Sequence, residues 1–338
     1  MEILSSKILL NETFLDEKNF HLMKTNLSNR EGLSYIDFKK KLTPQYQKVW
    51  LDILSGWFSL IVVMITAYFL LAHFETTALK TIISFVAALT VGYIIAYLTN
   101  FFHEAAHYNI ASDKNKNDVL ANIFIGLLLG QSIKYYRIIH WEHHKNLGTP
   151  ADSETSYFES LNLKFILYSL TGIRVLRILL KRNNLITVDT KRYTEEVKKE
   201  AKTLLIGGLI FNLIFVISMA LYHQWWLVAI WVMATFCFYP LFNSLRQLLE
   251  HRSDLASKKV NYSTSFHGKL NRLFGDNFFD RTFGSAGFNR HLLHHLEPMI
   301  SYTRMKDLEI FLSETNLIKD IQNSKTSYLK TFIKLFNK

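Results

Sequence analysis

Three groups of histidines carry the chemistry available to this chain. The first is His103-Glu104-Ala105-Ala106-His107, and the second is His140-Trp141-Glu142-His143-His144. The third lies far downstream as His291-Leu292-Leu293-His294-His295. Residues three and four apart share one face of a helix, so each group aims its imidazoles in a single direction. Eight of the 13 histidines fall in these groups. Imidazole binds iron, zinc or copper, so the pattern reads as a metal site. The first group also matches H-E-x-x-H, in which two histidines bind zinc and the glutamate is a general base. A mononuclear catalytic zinc takes three protein ligands. A membrane zinc protease would therefore leave both H-x-x-H-H groups without a role. The surplus of imidazoles, with His251 as one more, points to two metals of about four or five ligands each. Glu104, Glu142 and Glu250 stand beside the groups and are expected to orient ring N–H groups from behind.

Such a site needs elements to hold it, and hydropathy supplies them. Hydrophobic residues make up 49% of the chain and charged residues 20%, which suits a membrane protein with a large aqueous part. Two long apolar stretches, about Trp50–Ala72 and Ala78–Phe102, are separated only by His73–Thr77. Two more, Thr203–Tyr222 and Trp225–Leu245, are separated by His223-Gln224. Each is long enough to cross a bilayer, and the short links make each pair a hairpin. Val119–Gly130 is too short to span and reads as re-entrant or interfacial. Pro240 is expected to kink the last span. Tyr35–Leu42 reads as a short interfacial helix, and Phe165–Arg182, with Arg174, Arg177, Lys181 and Arg182, as an amphipathic helix in the interface.

Two hairpins put both termini and the middle loop on one side, with all three histidine groups and His251. The long basic segments are there too, so the positive-inside rule makes that side cytoplasmic. The net charge of +11 suits an anionic membrane surface or an acidic protein partner. No basic stretch is interleaved with a nucleic-acid fold, so nucleic acid is not an expected partner. Cys237 is the only cysteine, which excludes an intrachain disulfide or a thiolate metal site. The first 45 residues lack the apolar core of a signal peptide and read as a cytoplasmic arm. The expected fold is an all-α integral membrane protein with four transmembrane helices in two hairpins. A cytoplasmic helical cap holds a dinuclear metal site. Residues 1–338 read as one domain with a C-terminal tail from about 306, whose last part, Lys325–Lys338, lies on the membrane or is a solvated helix.

In order and position the groups resemble the three histidine boxes of the membrane fatty acid desaturase and hydroxylase superfamily. The first box matches as His103-x-x-x-His107 and the second as His140-x-x-His143-His144, followed by Asn146 and Asp152. The third sits in Asn289-Arg290-His291-Leu292-Leu293-His294-His295-Leu296-Glu297-Pro298, with Tyr302 beyond it. The resemblance implies a di-iron centre held by His103, His107, His140, His143, His144, His291, His294 and His295. His251 matches the position of a further ligand. Acyl-CoA desaturases carry an asparagine four residues before that histidine; this chain has Gln247, an outer contact that departs from the pattern. His291 replaces the glutamine typical of front-end desaturases. The resemblance also implies O2 as co-substrate and a lipid or acyl-thioester substrate. With no His-Pro-Gly-Gly heme motif, a separate electron donor of ferredoxin or cytochrome b5 type is implied. The implied activity is an oxidoreductase that desaturates an acyl-lipid, acyl-CoA or acyl-carrier, with hydroxylation as the alternative because both begin by removing hydrogen from a C–H bond.

Overall fold

The computed structural model describes residues 15, 17–177 and 193–337. Lys181 and Arg182, the end of the expected amphipathic stretch, lie outside the described residues. Two short helices, α1 (Glu17–Met23) and α2 (Tyr35–Lys40), precede the first long one. Ser34 caps α2 by accepting from the Asp37 N–H. Helices α3 (Tyr46–His73) and α4 (Thr77–Ala106) follow, linked by Phe74–Thr76. Beyond the apolar stretch that ends near Phe102 the same helix continues to Ala106; Phe101, Phe102, Ala105 and Ala106 are all buried, so its last turn is core. His103 rides on that turn, and His107 caps it.

Helix α5 (Lys114–Leu129) contains a π turn, Asn122–Gly126, and meets α6 (Ile133–Asn146) at 86°. Gly130 makes the corner at φ 63°, a left-handed conformation that glycine adopts without strain. The apolar segment thus ends in a sharp bend that delivers the second histidine group. Beyond α7 (Leu163–Leu170), helices α8 (Glu195–Leu221) and α9 (Trp225–His251) complete the long elements. Within α9 a π turn, Ala234–Phe238, ends two residues before Pro240. Proline has no N–H to offer the preceding turn, and the wider turn absorbs that loss.

These four helices, α3, α4, α8 and α9, are long and apolar enough to cross a membrane. Only 6% of the most apolar part of α8 is buried, and Phe58, Phe69, Ile214 and Leu221 stand exposed on α3 and α8. Outward faces of that kind suit lipid, whose tails would cover them. Helices α4 and α9 are pressed together: a Cβ on Gly92 would fall 2.4 Å from the Phe238 Cβ.

The remaining elements are small. Strand β1 (Leu273–Phe274) pairs in parallel with β2 (Lys325–Thr326), and an isolated bridge joins Ser28 and Ser34. Helices α10 (Phe278–Phe283), α11 (His291–Leu296), α12 (Met305–Ser313) and α13 (Ile318–Asn323) lie between the two strands in the chain, and α14 (Tyr328–Leu335) follows them. The described part of the N-terminal arm packs on the protein: Leu15, Phe20, Leu27 and Tyr35 share a buried cluster with Leu292, Leu293 and Leu296 of the third histidine group. One face of the C-terminal helix α14 packs on the protein, while Leu329 and Ile333 stand exposed on the other. Tyr328 and Leu335 join a buried cluster with Leu248, Leu249 and Phe274, and the Tyr328 ring stacks on Phe274 at 3.7 Å. The spacing of 328, 331 and 335 makes one covered face, but its partner is far away in the chain.

Candidate metal centre

Each histidine group is fixed by contacts from another. Arg137 of α6 donates to the carbonyls of Ala106 (2.8 Å) and Ala105 (3.0 Å), two of the acceptors left open at the end of α4. The same guanidinium pairs with Asp118, and the Asn117 amide also donates to Ala105. The last turn of α4 is therefore tied to the helix that carries His140, His143 and His144. The end of α9 is tied down in the same way. Buried Arg272 donates to the carbonyls of Leu249 (2.8 Å) and Arg252 (2.7 Å), while its own carbonyl accepts from the Leu292 N–H at the start of α11. Glu297, two residues beyond His295, accepts from Lys24 (2.8 Å) and Lys39 (2.5 Å) of the N-terminal arm.

Nine buried histidines converge as a result, and their nitrogens fall into groups that could hold metal ions. His103, His107, His140, His144 and His294 form one, with ligand atoms within 4.8 Å of one another. His143, His251 and His295 form a second, and His251 also groups with His291 and Glu250. Sharing His251 joins these last two into a set of four imidazoles. The Nε2 atoms are close: His144 to His140 is 3.0 Å, His144 to His294 is 3.1 Å, His291 to His251 is 2.9 Å and His295 to His291 is 3.1 Å. Two ligand nitrogens about 2.1 Å from one ion lie about 3.0 Å apart at a right angle and about 3.4 Å apart in a tetrahedron. The observed spacing is short enough for these nitrogens to share an ion.

Hydrogen bonds decide which ring nitrogen is free. The Leu270 carbonyl can only accept, so at 3.0 Å it makes His251 Nδ1 the donor and leaves Nε2 with its lone pair. His143 Nδ1 meets Asp152 at 2.9 Å, and His140 Nδ1 meets Glu154 at 3.0 Å. Asp152 is itself held by the Tyr157 hydroxyl and the Glu154 N–H. Gly148 makes room beside them at φ 77°, where a Cβ would sit 2.2 Å from the Gly268 carbonyl oxygen. By contrast, both ring nitrogens of His103 and His107 are buried without a hydrogen-bond partner. Buried polar atoms left unpaired are costly, and a metal ion is the partner that a cluster of lone pairs fits.

The electrostatics agree with that fit. Burial, and then the neighbouring imidazoles, hold His107, His144, His291, His294 and His295 well below the ordinary histidine range, so they stay neutral and able to bind metal. His143 is the exception. Burial lowers it, but Glu154 and Asp152 outweigh burial and raise it. Burial likewise pushes Glu154 up, and His143 and His140 more than reverse this, leaving it below the usual carboxylate range.

The expected outer acids occupy different places. Glu104 lies 3.9 Å from His103 Nδ1 and accepts from the Tyr302 N–H at 3.1 Å. Glu250 lies 3.7 Å from His291 Nε2 and accepts from the Tyr328 hydroxyl at 3.0 Å. Glu142 accepts from Asn146 at 2.9 Å, one turn along its own helix. Gln247 donates to Glu154 at 2.6 Å and accepts from the Ser156 N–H, so it braces the acid that holds His140. Glu154 and Tyr157 carried no signal of their own; Asp152 stood out only through the resemblance.

The profile of the family described as fatty acid desaturase matches residues 80–314, which contain every histidine of both groups. No curated protein matches the chain. The span from 80 to 314 covers more than half of the 338 residues, and the chain belongs to the fatty acid desaturase family, metal-dependent oxidoreductases that act on lipids in a membrane setting.

Proposed function

We propose that the protein is an O2-dependent di-iron desaturase of acyl chains, working at the cytoplasmic face of a membrane. The observation that carries this reading is the convergence of nine buried imidazoles into sets of five and four at the ends of long apolar helices. His103, His107, His140, His144 and His294 would hold one iron; His143, His251, His291 and His295 would hold the other. Iron bound there supplies the O2 activation needed to oxidise an unactivated C–H bond. The protein's own share is to keep the ligands neutral, oriented and dry. Asp152 and the Leu270 carbonyl hold ring protons on the far nitrogens of His143 and His251, so the Nε2 lone pairs face the metal. Arg137 and Arg272 hold the helix ends that carry the ligands.

The chain folds as one domain in this reading, with α3–α4 and α8–α9 as transmembrane hairpins and both termini cytoplasmic. Electrons come from a separate donor of ferredoxin or cytochrome b5 type, and the substrate is an acyl-lipid or acyl-thioester. Metal analysis and lipid mass spectrometry test the proposal together. About two irons per chain are expected, with a loss of two hydrogens from a lipid of the expressing host. Addition of one oxygen instead would make the enzyme a hydroxylase. A single zinc, with no lipid changed, would overturn both readings. His143→Ala should abolish product while the protein stays in the membrane; unchanged product would remove its ligand role.

A further inference from the structure

A groove of about 380 Å³ lies between α1 and the end of α6. Lys18, His21 and Leu22 line it from α1, His144 and Lys145 from α6, and Lys269 and Glu17 complete it. His144 belongs to the set of five, yet its ring lies 4.3 Å from that of His295 in the set of four. The ring of Trp141 lies 5.6 Å from that of His144 and 5.1 Å from that of His107. This tryptophan, one turn before Lys145, is 38% exposed. The groove therefore meets the metal centre at an imidazole that adjoins both sets.

The lining is polar and mostly basic. Lys18, His21 and Lys145 are exposed, and Lys18, Lys145 and Lys269 outnumber the one acid of the lining, Glu17. Leu22, 71% exposed, is its one apolar side chain, so the groove offers no wall for an acyl chain. An exposed leucine and an exposed tryptophan among lysines instead suit the acidic face of a protein. Opposite charge draws such a partner in and fixes its orientation, and the apolar groups supply contact. The lysines hold fixed places relative to the sets. Phe20, between Lys18 and Leu22 on α1, is buried with Leu292 and Leu293 of the third histidine group. Lys145 adjoins His144, and Lys269 adjoins Leu270, whose carbonyl holds His251. Electron transfer between proteins weakens steeply with distance, so a carrier shut out from buried imidazoles needs one that lines an open surface. His144 is such a residue.

We propose that this groove docks the acidic face of a one-electron carrier protein beside His144, where its electrons enter the centre. The proposal rests on the O2-dependent reading above and gives its reductant a place. Two carriers are oxidised per turnover. Their electrons, with O2, two protons and the two hydrogens leaving the lipid, yield two waters and one C=C bond. Full-length protein in detergent, loaded with iron and oxidised, is mixed without O2 with reduced plant-type ferredoxin, an acidic probe. The rate of ferredoxin oxidation should fall as salt rises, and Lys18→Glu combined with Lys145→Glu should slow it about tenfold or more. Dithionite, which needs no docking, should reduce that variant as fast as the parent. The same charge change at Arg281 and Lys330, exposed outside the groove, should leave the ferredoxin rate unchanged. A carbodiimide, which joins lysine to carboxylate, should link oxidised ferredoxin to Lys18 or Lys145 with or without metal. The proposal is overturned by a rate indifferent to salt and to the groove variant, by equal slowing in the distant variant or with dithionite, or by links confined to other lysines. Free coenzyme A that binds the parent but not the groove variant would also overturn it, giving the lysines to a substrate head group. Failure of the parent reading looks different: iron-loaded protein given dithionite and O2 changes no lipid, whatever the ferredoxin rates.

Discussion

The set of five imidazoles and the set of four sit side by side but are kept in place differently. In the larger set His103 and His107 have no hydrogen-bond partner on either ring nitrogen, and their positions follow from the last turn of α4 and its ties to α6. In the smaller set His143 and His251 are each aimed by an acceptor behind the ring, Asp152 and the Leu270 carbonyl. The larger set has one ring aimed in that way, His140 by Glu154, and leaves His103 and His107 to helix geometry; the smaller set has two of its four so aimed. The lesson is that a shared list of histidines conceals two sites with different sensitivities.

The largest effect should come from ligand loss. His251→Ala removes one of four imidazoles and the partner that links His143 to His291. Bound metal should fall to about half that of the parent and product should vanish. His107→Ala leaves four imidazoles in the larger set, so it should retain more metal than His251→Ala. Elemental analysis of the two purified variants decides; equal losses would erase the distinction between the sets.

Acid offers the next separation. A metal must displace a proton from any ligand that is protonated when free. His143 is raised above its ordinary value by Glu154 and Asp152, after burial has lowered it, so the smaller set meets proton competition first as pH falls. His107, His144 and His294 are lowered chiefly by burial and stay neutral below the ordinary range near 6.5. Metal content followed downward in pH should therefore drop in two steps, the first assigned to the smaller set by its absence in His251→Ala. A single concerted loss in folded protein would contradict this.

Asp152→Asn probes the same contrast through one atom. Removing such a partner weakens metal binding by about 10–100-fold, and the weakening should be confined to the smaller set. Competition with a chelator reads it out, and an equal effect on both sets would show that Asp152 does not act through His143. The smallest effect concerns the arm. Glu297→Gln loses charge-assisted hydrogen bonds to Lys24 and Lys39, each of a kind that contributes about 1.5–3 kcal/mol. The melting temperature should fall while metal content at low temperature stays at the parent level. Loss of metal without loss of stability would instead give Glu297 a direct hold on the third histidine group.

Much of the centre was legible from spacing. H-x-x-x-H and H-x-x-H-H leave few ways to arrange imidazoles once the segments are helical, and long apolar runs announce the helices that bring them. His251, just past the last such run, was singled out by its match to the resembled family's further ligand. The acids were less legible. Glu142 sits between two histidines in sequence yet bonds Asn146, because adjacent residues on a helix point apart; Asp152 and Glu154 reach the rings from the loop that follows. What the N-terminal arm and the C-terminal helix pack against was not legible either, for a related reason. Their apolar faces were visible, but their partners lie far along the chain, more than 200 residues away for the arm and more than 50 for the C-terminal helix.

The sequence by itself therefore determined which residues could bind metal, that they belong to helices, and that four helices are apolar enough for lipid. Those properties are local, set by side-chain chemistry and by the repeat of a helix. Only the tertiary structure divided the nine histidines into five and four, splitting neighbours such as His143 and His144, and His294 and His295, between the sets. Adjacent residues on a helix diverge by about 100°. Which metal each one faces thus depends on where α4, α6, α9 and α11 cross, and that crossing is fixed by contacts such as those of Arg137 and Arg272 between segments remote in sequence.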